Sequence, residues 1–154
     1  MVCLDGSKHS LKGLETAISF AKQSNGNIIG VHSDTTHGLF TAVHAPKIKE
    51  EKWSSKIKEI IETARKKVEG NEVKFEGIAI AGRAAGIDLT TFANNPRNKI
   101  EHIVIGARGL GFPKEIFLGS TSNFVLHKAR PPVTVVKWWI GISLLLVDRK
   151  SYDW

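Results

Sequence analysis

The chain has 154 residues, with 22 Lys and Arg against 15 Asp and Glu and a formal net charge of +7 at pH 7. This length, with 42% apolar residues, predicts one domain with a buried core and argues against two. A basic surface suits phosphate ligands, nucleic acid or acidic membranes. The sequence shows no zinc finger, recognition helix or aromatic-interleaved basic groove, so no specific nucleic-acid partner is predicted.

The cysteine content and the first residues of the chain indicate the cellular compartment in which the protein works. Cys3 is the only cysteine, which excludes an intrachain disulfide. Because it lies in an apolar segment, a buried and inert thiol is expected. Asp5 and Lys8 interrupt that segment at once, which argues against a secretory leader. A cytoplasmic location is therefore predicted.

Strand and helix patterns alternate along the chain. In chain order, the predicted elements are a strand at Val2 to Leu4, a helix at Ser10 to Gln23, a strand at Asn27 to His32, a polar connection at Ser33 to Pro46, a helix at Lys47 to Glu69, a strand at Val73 to Ala81, a helix at Ala84 to Asn94, a strand at Ile100 to Ile105, a helix at Leu118 to Lys128 and a strand at Val133 to Val136. These units predict an α/β fold of Rossmann-like type, with an open five-stranded parallel sheet and helices on both faces. Ligands of such sheets bind beyond the carboxyl ends of the strands, where Asp5, Ser33 and Gly106 fall.

Two glycine-containing turns carry the strongest chemical signal. Gly106-Ala107-Arg108-Gly109 follows the fourth strand, and Gly119-Ser120-Thr121-Ser122 opens the fourth helix. A glycine directly after a strand lets backbone amides approach an anion closely. The unpaired N–H groups and the dipole of a helix start favour negative charge, and the hydroxyls of Ser120, Thr121 and Ser122 add donors. The pattern predicts a phosphate site, with tight turns and a helix cap as the plainer alternative.

The segment GARGLGFPKEIFLGSTSNFVLHKARPPVTVVK resembles the carboxyl-terminal half of the universal stress protein family, in its ATP-binding branch. Val2-Cys3-Leu4-Asp5-Gly6-Ser7 resembles the first strand and the aspartate-glycine-serine turn of that family. The resemblance extends from residue 1 to Lys137. It implies a nucleotide-binding domain at residues 1–137, a strand order of 3-2-1-4-5, and a homodimer in which the fifth strand, at Val133 to Lys137, pairs across subunits.

The resemblance also implies roles for individual residues around ATP. Gly106 and Gly109 would line the path of the triphosphate, and Gly119, Ser120 and Thr121 would hold its phosphates at the helix start. Asp5 would lie near adenine and ribose, in addition to capping the first helix. Gly82 and Arg83 resemble the family's glycine-containing turn before the third helix, close to ribose and phosphates.

Three of these assignments stay open between two readings. Arg108 either contacts phosphate or extends into solvent, and Arg83 is either a phosphate partner or a solvated loop arginine. At the end of the second strand, where the family often has a small aliphatic residue against adenine, one alignment places His32 and another places Val31. A histidine at that point departs from the family, although its ring could stack on a purine.

Metal and catalytic motifs are missing from the sequence. The six histidines lack zinc-site spacing, and His37 and His44 fall on the polar connection. Magnesium, if any metal, would arrive with ATP. Neither a Walker lysine pattern nor a nucleophile with a base is found, so binding without rapid turnover is predicted.

The functional prediction is an ATP-binding universal stress protein that acts as a nucleotide-dependent switch or interaction module in stress response. It would work as a homodimer, with a protein partner that the sequence does not identify. One alternative is slow ATP hydrolysis or phosphotransfer, with self-modification at Ser120 or Thr121. The other is a relative that has lost nucleotide binding and serves only as a protein partner, a reading that His32 supports and the glycine spacing opposes.

An apolar extension, residues 138–154, follows the family-like domain. Trp138 to Val147 is only about half as long as a helix that spans a bilayer. An added element in a subunit interface is the plain reading, since such an exposed surface promotes association. Peripheral membrane contact, which is less expected than this plain reading, and an extension without function are the alternatives.

Overall fold

Parallel strands and helices alternate in the computed structural model, which describes residues 1–36, 46–109 and 118–137. The elements are β1 (Val2–Cys3), α1 (Lys8–Ser24), β2 (Ile28–Asp34), β3 (Lys47–Ile48), α2 (Ser55–Val68), β4 (Phe75–Ala81), α3 (Ala85–Asn94), β5 (Ile103–Gly106), α4 (Ser120–Lys128) and β6 (Val133–Val136), with short 3₁₀ helices at Glu50–Lys52 and Pro96–Asn98. The apolar extension predicted for residues 138–154 lies outside the described residues.

The sheet confirms the predicted α/β fold. Its strand order within the described residues is β3-β4-β2-β1-β5-β6, and all neighbouring pairs except β3 with β4 are parallel. The five parallel strands therefore lie in the predicted order 3-2-1-4-5. β1 is central, because Val2 pairs with Gly30 of β2 on one side and with Val104 of β5 on the other. The carboxyl ends of β1, β2 and β5 consequently meet at one edge of the sheet.

Helices cover both faces of this sheet. On one face, Leu14 of α1 and Ile61 of α2 are fully buried against the strands. On the other face, Leu89 of α3 and Val125 of α4 belong to a second buried cluster. Burial of each such side chain stabilises the fold by about 1.5–3 kcal/mol. None of the helices in the described ranges is long and apolar enough to cross a membrane.

The predicted helix at Lys47 to Glu69 is wrong in its first third. Lys47–Ile48 is instead a short antiparallel edge strand, and α2 begins only at Ser55. Ser54 sets that start, because its side chain accepts a hydrogen bond from the N–H of Ile57 at 3.3 Å. Trp53 holds the preceding turn, since its indole Nε1 donates to the carbonyl of Ile48 at 3.0 Å.

Other element boundaries differ by a few residues. β2 continues through Ser33 and Asp34, which were expected in the connection, because its ladder with β4 extends to the Asp34–Ala81 pair. α1 begins before Ser10, since Ser7 caps it by accepting from the Ser10 N–H at 3.1 Å. The polar connection at residues 37–45, with His37 and His44, lies outside the described residues.

Candidate functional site

A cleft of about 260 Å³ opens where the carboxyl ends of β1, β2 and β5 meet the start of α4. Parallel strand ends form such crevices in open α/β sheets. Of the residues predicted for the site, the structure places in its lining Asp5, His32, Gly106, Arg108, Gly109, Gly119, Ser120 and Thr121. Residues that are far apart in sequence are therefore brought to one surface by the strand order.

Asp5 joins the first strand to the glycine turn after β5. Its Oδ1 accepts the N–H of Ser7 at 2.9 Å, and Gly6 between them has φ of +82°, a conformation that favours glycine. Its Oδ2 lies against Gly109, where an added Cβ would be 2.6 Å away. The carboxylate is thus held by the turn before α1 and packed against the opposite wall of the cleft.

The two glycine turns are fastened to each other at Ala107. The carbonyl oxygen of Ala107 accepts the N–H of Gly119 at 2.8 Å and the hydroxyl of Ser122 at 2.8 Å. The Ala107 N–H donates to the carbonyl of Val136 in β6 at 2.7 Å. The start of α4 is therefore fixed directly beside the end of β5.

The start of α4 presents open donors to the cleft. Gly119 is the N-cap and has no side chain with which to cap the helix. No described residue accepts a hydrogen bond from the N–H or hydroxyl groups of Ser120 and Thr121. Such free N–H groups, at the positive end of the helix dipole, form a ready site for an anion. The cations Arg108 and Lys56 also line the cleft.

His32 closes the cleft at the end of β2. Its Nδ1 lies 2.8 Å from the carbonyl oxygen of Leu4, at the end of β1. Since a carbonyl only accepts, Nδ1 is the donor of this bond. The imidazole ring is thereby tied to the neighbouring strand.

Comparison with known proteins identifies the family. The model of the universal stress protein family matches residues 1–137. The chain belongs to this family. It is 30% identical over 147 residues to the universal stress protein YxiE of Bacillus subtilis (strain 168), an alignment that covers 89% of the chain and 97% of the relative.

Solved structures of universal stress proteins share its fold. UspA from Lactobacillus plantarum superposes with a TM-score of 0.68 at 19% identity, covering 88% of this chain and 94% of UspA. The universal stress protein from Archaeoglobus fulgidus in complex with dAMP superposes with a TM-score of 0.63 at 22% identity, covering 86% of this chain and 92% of that one.

Three residues predicted for the site of this universal stress protein do not line the cleft. Val31 is 0% exposed and packs in the core, so of the two alignments it is His32 that reaches the cleft. Gly82 is buried beneath Asp88, whose carboxylate would lie 2.1 Å from an added Cβ. The side chain of Arg83 is exposed outside the cleft lining, which fits its solvated reading.

Asp88 and Lys56 were missed by the sequence reasoning. Asp88 is buried in the first turn of α3, where its carboxylate accepts the hydroxyl of Ser33 at 2.8 Å and the N–H of Arg83 at 3.4 Å. It thereby fixes Ser33 in the cleft wall. The signal available was that Asp88 is the one charged residue of α3. Lys56 was hidden because the helix start at Ser55 was not predicted.

Burial shifts the pKa values of two side chains near the cleft, Cys3 at the end of β1 and His9 in α1. Burial raises the pKa of the Cys3 thiol to about 12, which agrees with the expected inert cysteine. Burial also lowers the pKa of the His9 imidazole; the charge of Arg108 lowers it further, and Asp5 opposes both. His9 therefore favours its neutral form beside the glycine turn.

Ser122 differs from the expectation that its hydroxyl is free to bind phosphate. It is 2% exposed and donates to the carbonyls of Ala107 and Gly119, at 2.8 and 2.9 Å. We expect Ser122→Ala to lower the free energy of unfolding by about 0.5–1.5 kcal/mol, measured by urea denaturation. Ser120→Ala is the matched control, because the exposed Ser120 hydroxyl has no partner among the described residues. Equal losses in the two variants would contradict this role.

Within residues 1–36, 46–109 and 118–137, no group of three or more His, Cys, Asp or Glu side chains is arranged to hold a metal ion. The residues that line the cleft include one carboxylate, that of Asp5. A divalent ion that arrives on a polyphosphate would thus keep most of its ligands from phosphate and water, as magnesium commonly does.

Proposed function

We propose that this protein binds an adenine nucleotide, ATP foremost, in the cleft at the carboxyl edge of its sheet. The observation that carries the proposal is the open start of α4, whose N–H groups at Ser120 and Thr121 have no acceptor among the described residues. The bond from Gly119 to Ala107 holds these donors beside the turn at Gly106. Preorganised donors of this kind favour a phosphate chain.

The remaining cleft residues suit the other parts of a nucleotide. Arg108 supplies a cation at the phosphate end. Asp5 is an acceptor for ribose hydroxyls, and its carboxylate is already oriented by the N–H of Ser7. The dAMP bound to the Archaeoglobus fulgidus relative supports an adenine nucleotide as the ligand class. Magnesium would accompany ATP on its phosphates.

The nucleotide would act as a signal in stress response rather than as a rapidly consumed substrate. We infer a homodimer in the cytoplasm, with occupancy of the cleft changing how it meets a protein partner. β6 supports this part of the proposal, because it is an edge strand of the described sheet and all four of its residues are partly exposed. Unpaired strand edges are ready templates for pairing with another chain.

The first test is the mass of any nucleotide released when freshly purified protein is denatured. We expect ATP or another adenine nucleotide from the unmutated protein, and none from Gly119→Val. At Gly119 an added Cβ makes only ordinary contacts, the nearest at 3.5 Å, so this variant is expected to fold. Its branched side chain would crowd the space between the Ala107–Arg108 turn and the start of α4, and titration should show ATP affinity reduced by at least about tenfold, or 1.4 kcal/mol.

Circular dichroism of Gly119→Val and of the smaller Gly119→Ala separates loss of binding from loss of fold. Absence of bound nucleotide together with no titratable ATP binding by the unmutated protein would refute the proposal. That result would leave the protein-partner alternative, and would direct attention to residues 138–154.

A further inference from the structure

His32 lines the cleft with one of its two ring nitrogens already engaged by the protein. The ring lines the cleft and is anchored at 2.8 Å to the carbonyl oxygen of Leu4. Leu4 is itself fixed, because its N–H donates to the carbonyl of Val31 at 2.9 Å. The imidazole is therefore held in one orientation by its own strand, β2, and by the hydrogen bond to the end of β1.

The anchor determines which nitrogen of the ring carries the proton. Nδ1 must carry hydrogen, since its partner is a carbonyl oxygen that only accepts. In the neutral ring Nε2 is then an acceptor. No described residue forms a hydrogen bond with Nε2. A hydrogen-bond acceptor without a protein partner is thus available on the side chain that closes this end of the cleft.

The neighbouring Ser33 hydroxyl is also available to a ligand only as a hydrogen-bond acceptor. Ser33 also lines the cleft, and its hydroxyl hydrogen is directed to the carboxylate of Asp88 at 2.8 Å. The Ser33 oxygen can therefore only accept further hydrogen bonds. A ligand edge that reaches the end of β2 meets acceptors at both His32 and Ser33, and must supply donors to satisfy them.

We propose that His32 is a specificity-determining residue, whose Nε2 accepts a hydrogen bond from the exocyclic amine of the bound base. The inference rests on the proposed nucleotide function and deepens it, because it names the residue and the atom that recognise the base. A base that carries an amine at the purine C6 position satisfies Nε2, and one that has hydrogen there leaves it unpaired. A site built around such an acceptor discriminates against ligands that lack the donor.

The test is a four-way comparison of dissociation constants, measured by calorimetry at pH 8. The ligands are AMP and purine ribonucleoside 5′-monophosphate, which has hydrogen in place of the amine. The proteins are the unmutated chain and His32→Val. We expect the unmutated protein to prefer AMP by about three- to tenfold, and His32→Val to bind the two ligands within about twofold of each other.

A second variant keeps the result interpretable if ring packing also matters. His32→Phe retains a flat ring that can stack on a base but has no acceptor, so it too is expected to lose the preference for AMP. Retention of the preference in His32→Val or His32→Phe would overturn the inference, as would equal binding of both nucleotides by the unmutated protein. Failure of the unmutated protein to bind either nucleotide would instead refute the proposed function, and this inference with it.

Discussion

Ser120→Asp is expected to weaken ATP binding by at least about tenfold while leaving the thermal midpoint unchanged or raised. Ser120 is exposed and is the first residue of α4. A carboxylate in the first turn of a helix interacts favourably with the dipole, by about 0.3–1 kcal/mol. The same carboxylate repels the phosphates that the free N–H groups would bind. Stability and affinity are therefore expected to move in opposite directions.

Two controls isolate the charge at this position. Ser120→Asn has nearly the shape of aspartate without its charge, and is expected to bind ATP within about threefold of the unmutated protein. Ser55→Asp places the same charge on the first residue of α2, outside the cleft lining, and should not change ATP affinity. Isothermal titration and a thermal melt of each variant provide the measurements. Equal ATP affinity in Ser120→Asp and Ser120→Asn would contradict a phosphate site at α4.

Gly106→Ala is expected to destabilise the fold by about 1–3 kcal/mol, because the new methyl group has no space. A Cβ at Gly106 would lie 2.7 Å from the carbonyl carbon and 2.8 Å from the carbonyl oxygen of His9. These are backbone atoms of α1, so they cannot move aside by a change of rotamer. Gly13 lies on the same crossing, where a Cβ would be 3.6 Å from the N of Gly106. The two glycines allow α1 to pass close over the end of β5.

Gly119→Ala is the matched control for that loss. Its nearest contacts would be ordinary, at 3.5 Å, and its φ of −72° is accessible to alanine. We expect its free energy of unfolding to change by less than about 0.5 kcal/mol. Urea denaturation of both variants measures the difference, and the midpoint of Gly106→Ala should fall by roughly 2–10 °C in a thermal melt. A loss in Gly119→Ala as large as that in Gly106→Ala would show that the clash is not the cause.

The parts of this structure that could be predicted from sequence are those with a local signature. Apolar periodicity placed the five parallel strands, and the position of Asp5 and Gly106 after strands placed both in one cleft. The break before α2 was missed, because charged residues run through it without glycine or proline and only Ser54 marks the cap. The apolar stripe of α2, which starts at Ile57, continues the helical spacing from Trp53, so periodicity alone did not separate the two and hid the capping role of Ser54.

The sequence did not predict which side chains at the strand ends point into the cleft. Val31 and His32 are neighbours on β2, and alternation alone did not decide which one reaches the cleft. Arg83 lies two residues beyond the end of β4, as Arg108 does beyond β5, yet its side chain lies outside the cleft lining, while the buried Asp88 binds the backbone at that turn. These outcomes depend on contacts between elements that are far apart along the chain.

Ala107 attaches both the start of α4 and the edge of the sheet to the glycine turn through the two polar groups of its backbone. Its oxygen holds the start of α4, and its N–H, 2.7 Å from the carbonyl of Val136, holds β6. The N–H and the carbonyl of Ala107 belong to consecutive peptide planes that meet at its Cα, so the glycine turn and the outermost parallel strand are joined through the backbone of a single residue, without an intervening side chain. A change in the position of Ala107 would therefore alter the wall of the cleft and the attachment of the edge strand at once.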